Sequence, residues 1–261
     1  MNKVLVIPDI HGRKFWKDAV NNKEYDKIIF LGDYLDPYGF EKIKVEDAIE
    51  NFKEIIEYKR ANIDKVVLLI GNHDCPYLSD HYLRLSSYHC RHSNMYHDRI
   101  HKLFNNDIGF FKIAHVENDI IFTHAGIQDY WIKNIVKCDI SDINNVSNAL
   151  NDLLTNDKDI EKLFYIAPSR GGMDKCGSCV WADVHDMSLD TEKSLENKTE
   201  ETIHKYKQVF GHTMQAYYDK KFNICFGNAI EFNNCKMLDT AKAYELDIDN
   251  FEIKCINENG N

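Results

Sequence analysis

The sequence lacks the long apolar runs that membrane proteins need. No stretch of its 261 residues approaches the ~18 consecutive apolar residues of a membrane-spanning helix. The apolar run in MNKVLVIPDIHG at the N-terminus is also too short for a signal peptide. We therefore expect a cytoplasmic protein with no membrane partner.

Clustered basic residues are missing as well. The 32 Lys and Arg residues are scattered along the chain, and 42 Asp and Glu residues outnumber them, which gives a formal net charge of −10. Nucleic-acid binding depends on grouped basic side chains that neutralise phosphates, so we expect no nucleic-acid partner. An acidic surface suits a soluble intracellular protein.

The cysteines show no disulfide or zinc framework. The chain has eight cysteines, and without a secretion signal we expect them to be reduced. Cys176 and Cys179 have the spacing of a zinc or redox pair, but a structural zinc site needs two further ligands at similarly tight spacing, and the sequence has no second pair. A thiol-bearing loop is the favoured interpretation, with a zinc or redox site as the alternative.

Internal repeats and low-complexity linkers are absent too, so we expect a single domain over residues 1–261. Short apolar runs rich in β-branched residues predict buried strands at residues 3–8, 27–32, 65–71, 119–124 and 208–212. Helical spacing of apolar residues predicts a helix that starts near Val45 and another from about Asp142 to Leu154, with Ser141 as N-cap. Consecutive antiparallel strands are predicted in residues 222–227, 229–240 and 243–249.

Each of the five predicted strands is followed by a polar block that contains glycine. Polar side chains at the end of a buried strand are costly to desolvate unless they have partners, and ligands gather at the carboxyl ends of strands in open α/β sheets. A lone histidine after a strand is a weak signal, whereas five such blocks together are a strong one. The blocks are Asp9-Ile-His11-Gly12, Gly32-Asp33-Tyr-Leu-Asp36, Gly71-Asn72-His73-Asp74, His124-Ala-Gly126 and Gly211-His212-Thr213.

These blocks resemble the motifs of the calcineurin-like metallophosphoesterases, in the branch of serine/threonine phosphoprotein phosphatases and symmetrical diadenosine tetraphosphate hydrolases. DIHG, GDYLD, GNHD, THAG and GHT follow in the family's order between positions 9 and 213, and weaker similarity continues in SRGG, WAD and LDT. The resemblance implies a metallophosphoesterase-type α/β fold, a four-layer α/β/β/α sandwich of mixed sheets with flanking helices. It also implies a dinuclear metal centre at the edge of the sandwich.

The resemblance implies which residues bind the two metal ions. Asp33 would bridge them, and the bridge must be anionic to hold two divalent ions ~3.5–4 Å apart. Imidazoles and carboxylates without a thiolate suit Mn²⁺, Fe or Zn²⁺, and we expect Mn²⁺. A hydroxide between the ions would attack phosphorus directly. The implied ligands are Asp9, His11 and Asp33 for the first ion, and Asp33, Asn72, His124 and His212 for the second.

The same resemblance implies a general acid beside the metals. His73 would protonate the leaving oxygen, and Asp36 would hydrogen-bond to its other ring nitrogen, which fixes the tautomer and raises the pKa of the ring. The alternative is that Asp36 and His73 form a structural contact between two loops.

Binding of the substrate phosphate departs from the family. Phosphoprotein phosphatases of this branch usually have a phosphate-binding arginine where this chain has Pro37. Arg170, in SRGG, resembles a second phosphate-binding arginine of the family and could form a bidentate fork, although it could also be a surface arginine in a turn. Arg13 is a further candidate.

The segment from Pro76 to His101 is rich in histidine and tyrosine. His97 and His101 stand four apart, so they could share a helical face as metal ligands. No third ligand has a matching spacing, and we favour a polar helical segment that walls the substrate cleft.

Three functions fit the sequence. The first is a phosphomonoesterase of the phosphoprotein-phosphatase type. The second is a hydrolase of dinucleoside polyphosphates or another small phosphorylated metabolite, which HAG favours over the HGG usual in protein phosphatases. The third is a non-catalytic metal-containing scaffold, which the complete set of presumed ligands makes the weakest of the three.

Overall fold

The described strands form two main sheets and a separate two-stranded sheet, in which Ala216–Tyr218 pairs with Ile224–Phe226. The structure is a computed structural model that describes residues 3–21, 24–86, 89–155, 157–196, 201–214, 216–218, 224–226 and 229–256. The strands in these ranges are β1 Lys3–Ile7, β2 Lys27–Phe30, β3 Val66–Leu69, β4 Phe111–Lys112, β5 His115–Glu117, β6 Ile120–Phe122, β7 Lys207–Phe210, β8 Ala216–Tyr218, β9 Ile224–Phe226, β10 Ile230–Phe232, β11 Cys235–Met237, β12 Ala243–Asp247 and β13 Glu252–Ile256.

Helices connect the strands and flank the sheets. They are α1 Trp16–Asn21, α2 Val45–Ala61, α3 Asp80–Ser86, α4 His97–Asn106, α5 Ile143–Asp152, α6 Asp157–Ile160 and α7 Val184–Glu196. The longest, α2, has acidic residues in its first turn and Lys59 and Arg60 in its last, as the helix dipole favours. None of the described helices combines the length and apolar composition needed to cross a membrane.

The topology brings parallel strand ends together. The first sheet has the order β13-β12-β1-β2-β3-β4, and the second has the order β10-β11-β7-β6-β5. Strands β1, β2 and β3 are parallel neighbours in the first sheet, and β6 and β7 are parallel neighbours in the second. The loops that follow these five strands therefore lie at the carboxyl edges of the two sheets.

The layers follow from alternation of side chains along the strands. In β1, Leu5 and Ile7 pack into the core shared with α2, whereas Val4 and Val6 pack between the sheets. Phe122 reaches the same inter-sheet core from the second sheet. On the outer side of the second sheet, buried residues of β7 and β11 pack with Met187 of α7. The predicted fold of mixed sheets flanked by helices is confirmed.

The predicted strands before His212 and the helix at Val45 are confirmed. The predicted N-cap at Ser141 is wrong: Asp142 caps α5 by accepting a hydrogen bond from the backbone N–H of Asn144 at 2.8 Å, while the Ser141 hydroxyl bonds to Asp139. The prediction of consecutive antiparallel strands after His212 is wrong in its pairing. Residues 229–240 form a hairpin whose strand β11 runs parallel to β7, and β12 crosses to the first sheet to pair with β1.

Candidate metal centre

The candidate centre lies where the five polar blocks meet. The backbone N–H of His11 donates to the Asp33 carbonyl at 2.6 Å, and that of Gly211 donates to the His124 carbonyl at 2.7 Å. Several site residues have a left-handed backbone, with φ of 44° at His11, 54° at Asp33 and 69° at His212. Such conformations are uncommon outside glycine, although Asn, Asp and His adopt them more readily than other residues, and they concentrate at functional sites.

Glycine at two positions makes room for the carboxylates. A Cβ atom on Gly71 would overlap the Asp33 carboxylate, and one on Gly211 would lie 2.8 Å from Asp9 Oδ1. The apolar strand β3 therefore runs into Gly71 because a larger residue would push Asp33 out of the site. The first residue after this glycine, Asn72, enters the site itself.

Asp33 joins two groups of donor atoms. Its Oδ2 lies 3.5 Å from His11 Nε2 and 3.5 Å from His124 Nε2. The other ring nitrogens of these histidines hydrogen-bond to backbone carbonyls, His11 Nδ1 to Leu35 at 2.9 Å and His124 Nδ1 to Leu31 at 2.8 Å. If each Nδ1 donates, both Nε2 atoms present lone pairs to Asp33 Oδ2, as ligands of a metal would.

The second group is arranged around His124 Nε2. Asn72 Oδ1 lies 3.0 Å from this nitrogen, and His212 Nδ1 lies 3.2 Å from it. Atoms bound about 2.1 Å from an ion at octahedral or tetrahedral angles are separated by about 3.0–3.4 Å. The spacing and the chemistry of these atoms therefore fit a shared metal ion.

The first group contains His11, Asp33 and a ring nitrogen of His73, whose ligand atoms lie within 4.8 Å of one another. Asp9, the other ligand predicted here, is buried, and its Oδ1 accepts the backbone N–H of His212 at 3.1 Å. Burial and the charge of Asp33 raise the pKa of Asp9 against the opposing effect of His124. Buried carboxylates that interact in this way need positive charge nearby, which an ion in the first group would supply.

The electrostatics favour the charge states that bind metal. Burial alone would raise the pKa of Asp33, but His124, His73 and His11 outweigh it and lower the pKa to about 2. Burial lowers the pKa of His11 and of His212 well below the usual value. An ionised bridge and neutral imidazoles are the forms in which these groups coordinate a metal.

His73 lies against Asp36, as predicted. Its Nδ1 is 3.0 Å from Asp36 Oδ2, and the Tyr77 hydroxyl donates to Asp36 Oδ1 at 2.6 Å. Burial lowers the pKa of His73, but the charges of Asp33 and Asp36 and the hydrogen bond to Asp36 outweigh it and raise the pKa. This arrangement directs Nε2 away from Asp36 and favours a protonated ring.

Asp74 joins the loops after β2 and β3. Its Oδ2 accepts the backbone N–H groups of Asp33 at 2.7 Å and Gly71 at 2.8 Å, and its Oδ1 accepts that of Tyr34 at 3.0 Å. Since each buried N–H would be costly to leave unpaired, this carboxylate fixes the backbone that carries Asp33.

The two arginines predicted to bind phosphate both lie near site residues. Arg170 Nη2 donates to the Thr213 hydroxyl at 2.5 Å, and its Nε pairs with Asp183 Oδ2 at 2.8 Å. Arg13 is buried, with Nε donating to Glu41 at 2.6 Å and Nη1 to the Asp9 carbonyl at 3.2 Å. Arg170 is thus next to His212, and Arg13 is next to the backbone of Asp9.

Two motifs outside the blocks form no metal group in the part of the chain that the structure describes. Cys176 and Cys179 are buried free thiols whose pKa is raised by burial, which agrees with a thiol-bearing loop. The rings of His97 and His101 stack 5.9 Å apart in α4, and helical structure in this segment agrees with the favoured prediction.

Sequence reasoning missed Tyr77 and Arg91. Tyr77 bonds to Asp36, and Arg91 Nη2 donates to the Asp36 carbonyl at 3.1 Å. Both come from the histidine- and tyrosine-rich segment, where no motif marks them. The recurrence of polar aromatic residues directly after the GNHD block was the available signal.

One comparison with known proteins identifies a family, and another finds solved structures with a similar fold. A family model described as calcineurin-like phosphoesterase matches residues 2–216. Similar solved structures include a cold-active protein tyrosine phosphatase, with a TM-score of 0.54 and 15% identity over 99% of this chain and 80% of that chain. Another is a protein-tyrosine phosphatase of a psychrophilic Shewanella species, with a TM-score of 0.50 and 16% identity over 98% and 81% of the two chains.

A third similar structure is a protein serine/threonine phosphatase from Saccharomyces cerevisiae, with a TM-score of 0.52 and 15% identity over 99% of this chain and 81% of that chain. The comparison with curated proteins gives no match. At these identities, the solved structures show a shared fold.

Proposed function

The chain belongs to the calcineurin-like phosphoesterase family, and from this we propose that it hydrolyses phosphomonoesters at a dinuclear metal centre, in the manner of serine/threonine phosphoprotein phosphatases. The family consists of metal-dependent phosphoric ester hydrolases, so the chain is such an enzyme and acts on a phosphorylated substrate. The proposal adds the type of ester, the residues and their roles.

The observation that carries the proposal is the position of Asp33 Oδ2, 3.5 Å from the Nε2 atoms of two different histidines. A carboxylate shared by two donor groups is what two neighbouring cations need between them. We therefore propose that Asp33 is the bridging ligand. Asp9 and His11 complete the first site, and Asn72, His124 and His212 complete the second.

Two bound divalent ions, which we propose to be Mn²⁺, would activate water for in-line attack and neutralise phosphoryl charge. The chain itself orients the groups around this reaction. The backbone carbonyl of Leu35 binds Nδ1 of His11, and that of Leu31 binds Nδ1 of His124. The Nε2 atom of each histidine therefore stays directed at Asp33. Asp74 holds the backbone of Asp33.

We propose that His73 donates a proton to the leaving oxygen. With Nδ1 bonded to Asp36, the transferable proton is on Nε2. Tyr77 donates to the second oxygen of Asp36 and so orients the carboxylate against His73. General acid catalysis of this kind contributes about 10²–10⁴-fold to the rate.

Arg170 is our candidate for binding the phosphoryl group beside His212. Replacing it by Ala should raise KM for phosphomonoesters and weaken inhibition by inorganic phosphate by about 10-fold or more, since hydrogen bonds to charged groups contribute about 1.5–3 kcal/mol. Arg170→Lys keeps the charge but loses the planar fork, so it should resemble Arg170→Ala. Kinetics with phosphate as inhibitor give the result, and Lys175→Ala, an exposed charge deletion in the same loop, is the control.

Unchanged phosphate inhibition in Arg170→Ala, with both metal ions still bound, would reject this role. Arg13 would then be the next residue to test, because its side chain lies beside the Asp9 backbone.

Parallel assays with added Mn²⁺ test the proposed function. The substrates are an aryl phosphomonoester, peptides carrying phosphoserine or phosphotyrosine, and a dinucleoside tetraphosphate. We expect the highest kcat/KM on phosphomonoesters. Preference for the dinucleoside tetraphosphate would instead support the small-metabolite hydrolase that Ala125 in HAG favours, and metal-loaded protein without turnover of any substrate would support a scaffold.

We also propose that residues 1–261 form a single domain. The pairing of β1 with β12, which joins Lys3 to Asp247 and Val6 to Tyr244, supports this because strands from both ends of the described chain belong to one sheet.

A further inference from the structure

We propose that Arg91 binds the phosphoryl oxygens of the substrate on the side of the site where His11 and His73 lie, with its guanidinium held over the Tyr38 ring. The inference rests on the proposed phosphomonoesterase function and adds a phosphate-binding residue that none of the sequence motifs marks.

Arg91 contacts two residues, Tyr38 and Asp36, that themselves contact residues of the proposed centre. Its guanidinium carbon lies 3.8 Å from the centroid of the Tyr38 ring, and its Nη2 donates to the carbonyl of Asp36 at 3.1 Å. Tyr38 in turn contacts the His11 ring edge to face at 4.8 Å, and the Asp36 carboxylate holds His73. Tyr38 therefore separates the guanidinium from His11, a proposed metal ligand. Asp36 separates it from His73, the proposed general acid.

Arg91 also places a positive charge beside these side chains, because its guanidinium contacts the Tyr38 ring and the Asp36 carbonyl. A cation placed here attracts an anion arriving at the metals, because the surrounding side chains are buried and the local dielectric is lower than that of water.

Arg91 differs from the other two arginines in how its donors are used. Arg13 pairs with Glu41 and Arg170 pairs with Asp183. Arg91 has no carboxylate of the described residues at salt-bridge distance, and its side chain is exposed. The aromatic ring covers the face of the guanidinium, which leaves the N–H groups at its edge for a bidentate contact with an oxyanion.

The identity of the anion follows from the site. Two divalent ions at the proposed centre together with the charge of Arg91 favour a ligand with about two negative charges, which is a phosphate monoester or its product, inorganic phosphate. The position of Arg91 beside Asp36 would also replace the positive charge that Pro37 cannot supply.

Orthophosphate binding to the metal-loaded protein tests the inference directly. Isothermal titration calorimetry should show Arg91→Ala binding phosphate about 10- to 100-fold more weakly than wild type, as expected for loss of hydrogen bonds between charged groups. Arg91→Gln keeps a polar side chain with N–H donors but is shorter and uncharged, so it should lose a similar factor. Arg91→Lys keeps the charge but loses the planar fork and its stacking on Tyr38, so it should also bind phosphate more weakly than wild type.

Arg99→Ala is the matched control, because Arg99 is an exposed arginine nearby in the chain that pairs with Glu50 at 2.7 Å. It should bind phosphate as wild type does. Elemental analysis should find unchanged metal content in every variant.

Wild-type phosphate affinity in both Arg91→Ala and Arg91→Gln, or no measurable phosphate binding by metal-loaded wild type, would overturn the inference. Failure of the proposed function would give a different result. The wild-type protein would then not hydrolyse any phosphoester, and the substitutions of Arg91 would have no bearing on that outcome.

Discussion

Asp33→Asn should lose metal and activity together. A neutral amide cannot balance two dications, and even substitutions of residues that only support a ligand cost about 10–100-fold in metal affinity. We therefore expect a loss of kcat/KM of more than ~10²-fold. Elemental analysis of the dialysed variant, in parallel with turnover of an aryl phosphomonoester, measures both effects.

The choice of Asn separates this loss from unfolding. Asp33 has φ of 54°, a backbone conformation that Asn tolerates well. The amide oxygen can still accept the His73 backbone N–H, which lies 2.8 Å from Asp33 Oδ1. Asp142→Asn is the matched control, because Asn caps a helix as well as Asp does. An active Asp33→Asn variant with full metal content would exclude a bridging role for Asp33.

His73→Asn should reduce kcat by about 10²–10⁴-fold while metal content stays near that of wild type, because general acid catalysis has that magnitude. The loss should shrink for a nitrophenyl ester, whose leaving group needs less protonation in the transition state. Steady-state kinetics on substrates with leaving groups of different pKa provide the measurement. The exposed pair of His81 and Glu161 offers His81→Asn as the control.

Graded variants around His73 distinguish an acid from a ligand. Asp36→Asn should give a smaller loss of kcat in the same direction, and Tyr77→Phe a smaller one still, because both residues act through His73. A ring nitrogen of His73 also lies within 4.8 Å of the donor atoms of His11 and Asp33. If His73→Asn removes a metal ion, His73 is a ligand and the assignment of the general acid is wrong.

The sequence predicted the parts of the fold that depend on local pattern. The run from Val66 to Leu69 is apolar at every position because β3 is buried on both faces, and α2 repeats apolar residues at helical spacing. Strand partners could not be predicted in the same way. The alternation of residues in β11 and β12 predicts which side chains face the core but not which strand pairs with which. The pairing of β12 with the first sheet was therefore not predicted.

The candidate site was predictable to a similar degree. Polar residues after parallel strands meet at one edge, so His11 and Asn72 could be assigned to the site before their contacts were known. The contacts of Tyr77 and Arg91 with Asp36 could not be predicted from the sequence, because they depend on the tertiary fold and no motif marks these two residues. Asp142 caps α5, and the hydroxyl of Ser141 instead donates to Asp139. Adjacent polar residues compete for such hydrogen bonds, and the sequence pattern does not predict which of them caps the helix.

Metal stoichiometry tests the central claim most directly. Protein stripped with a chelator and reconstituted with increasing Mn²⁺ would be assayed for bound metal by elemental analysis and for turnover of an aryl phosphomonoester in the same samples. A centre bridged by Asp33 predicts that turnover is absent in the stripped protein and reaches its plateau at two ions per chain. One ion or none at saturating Mn²⁺, or full turnover in the stripped protein, would contradict it.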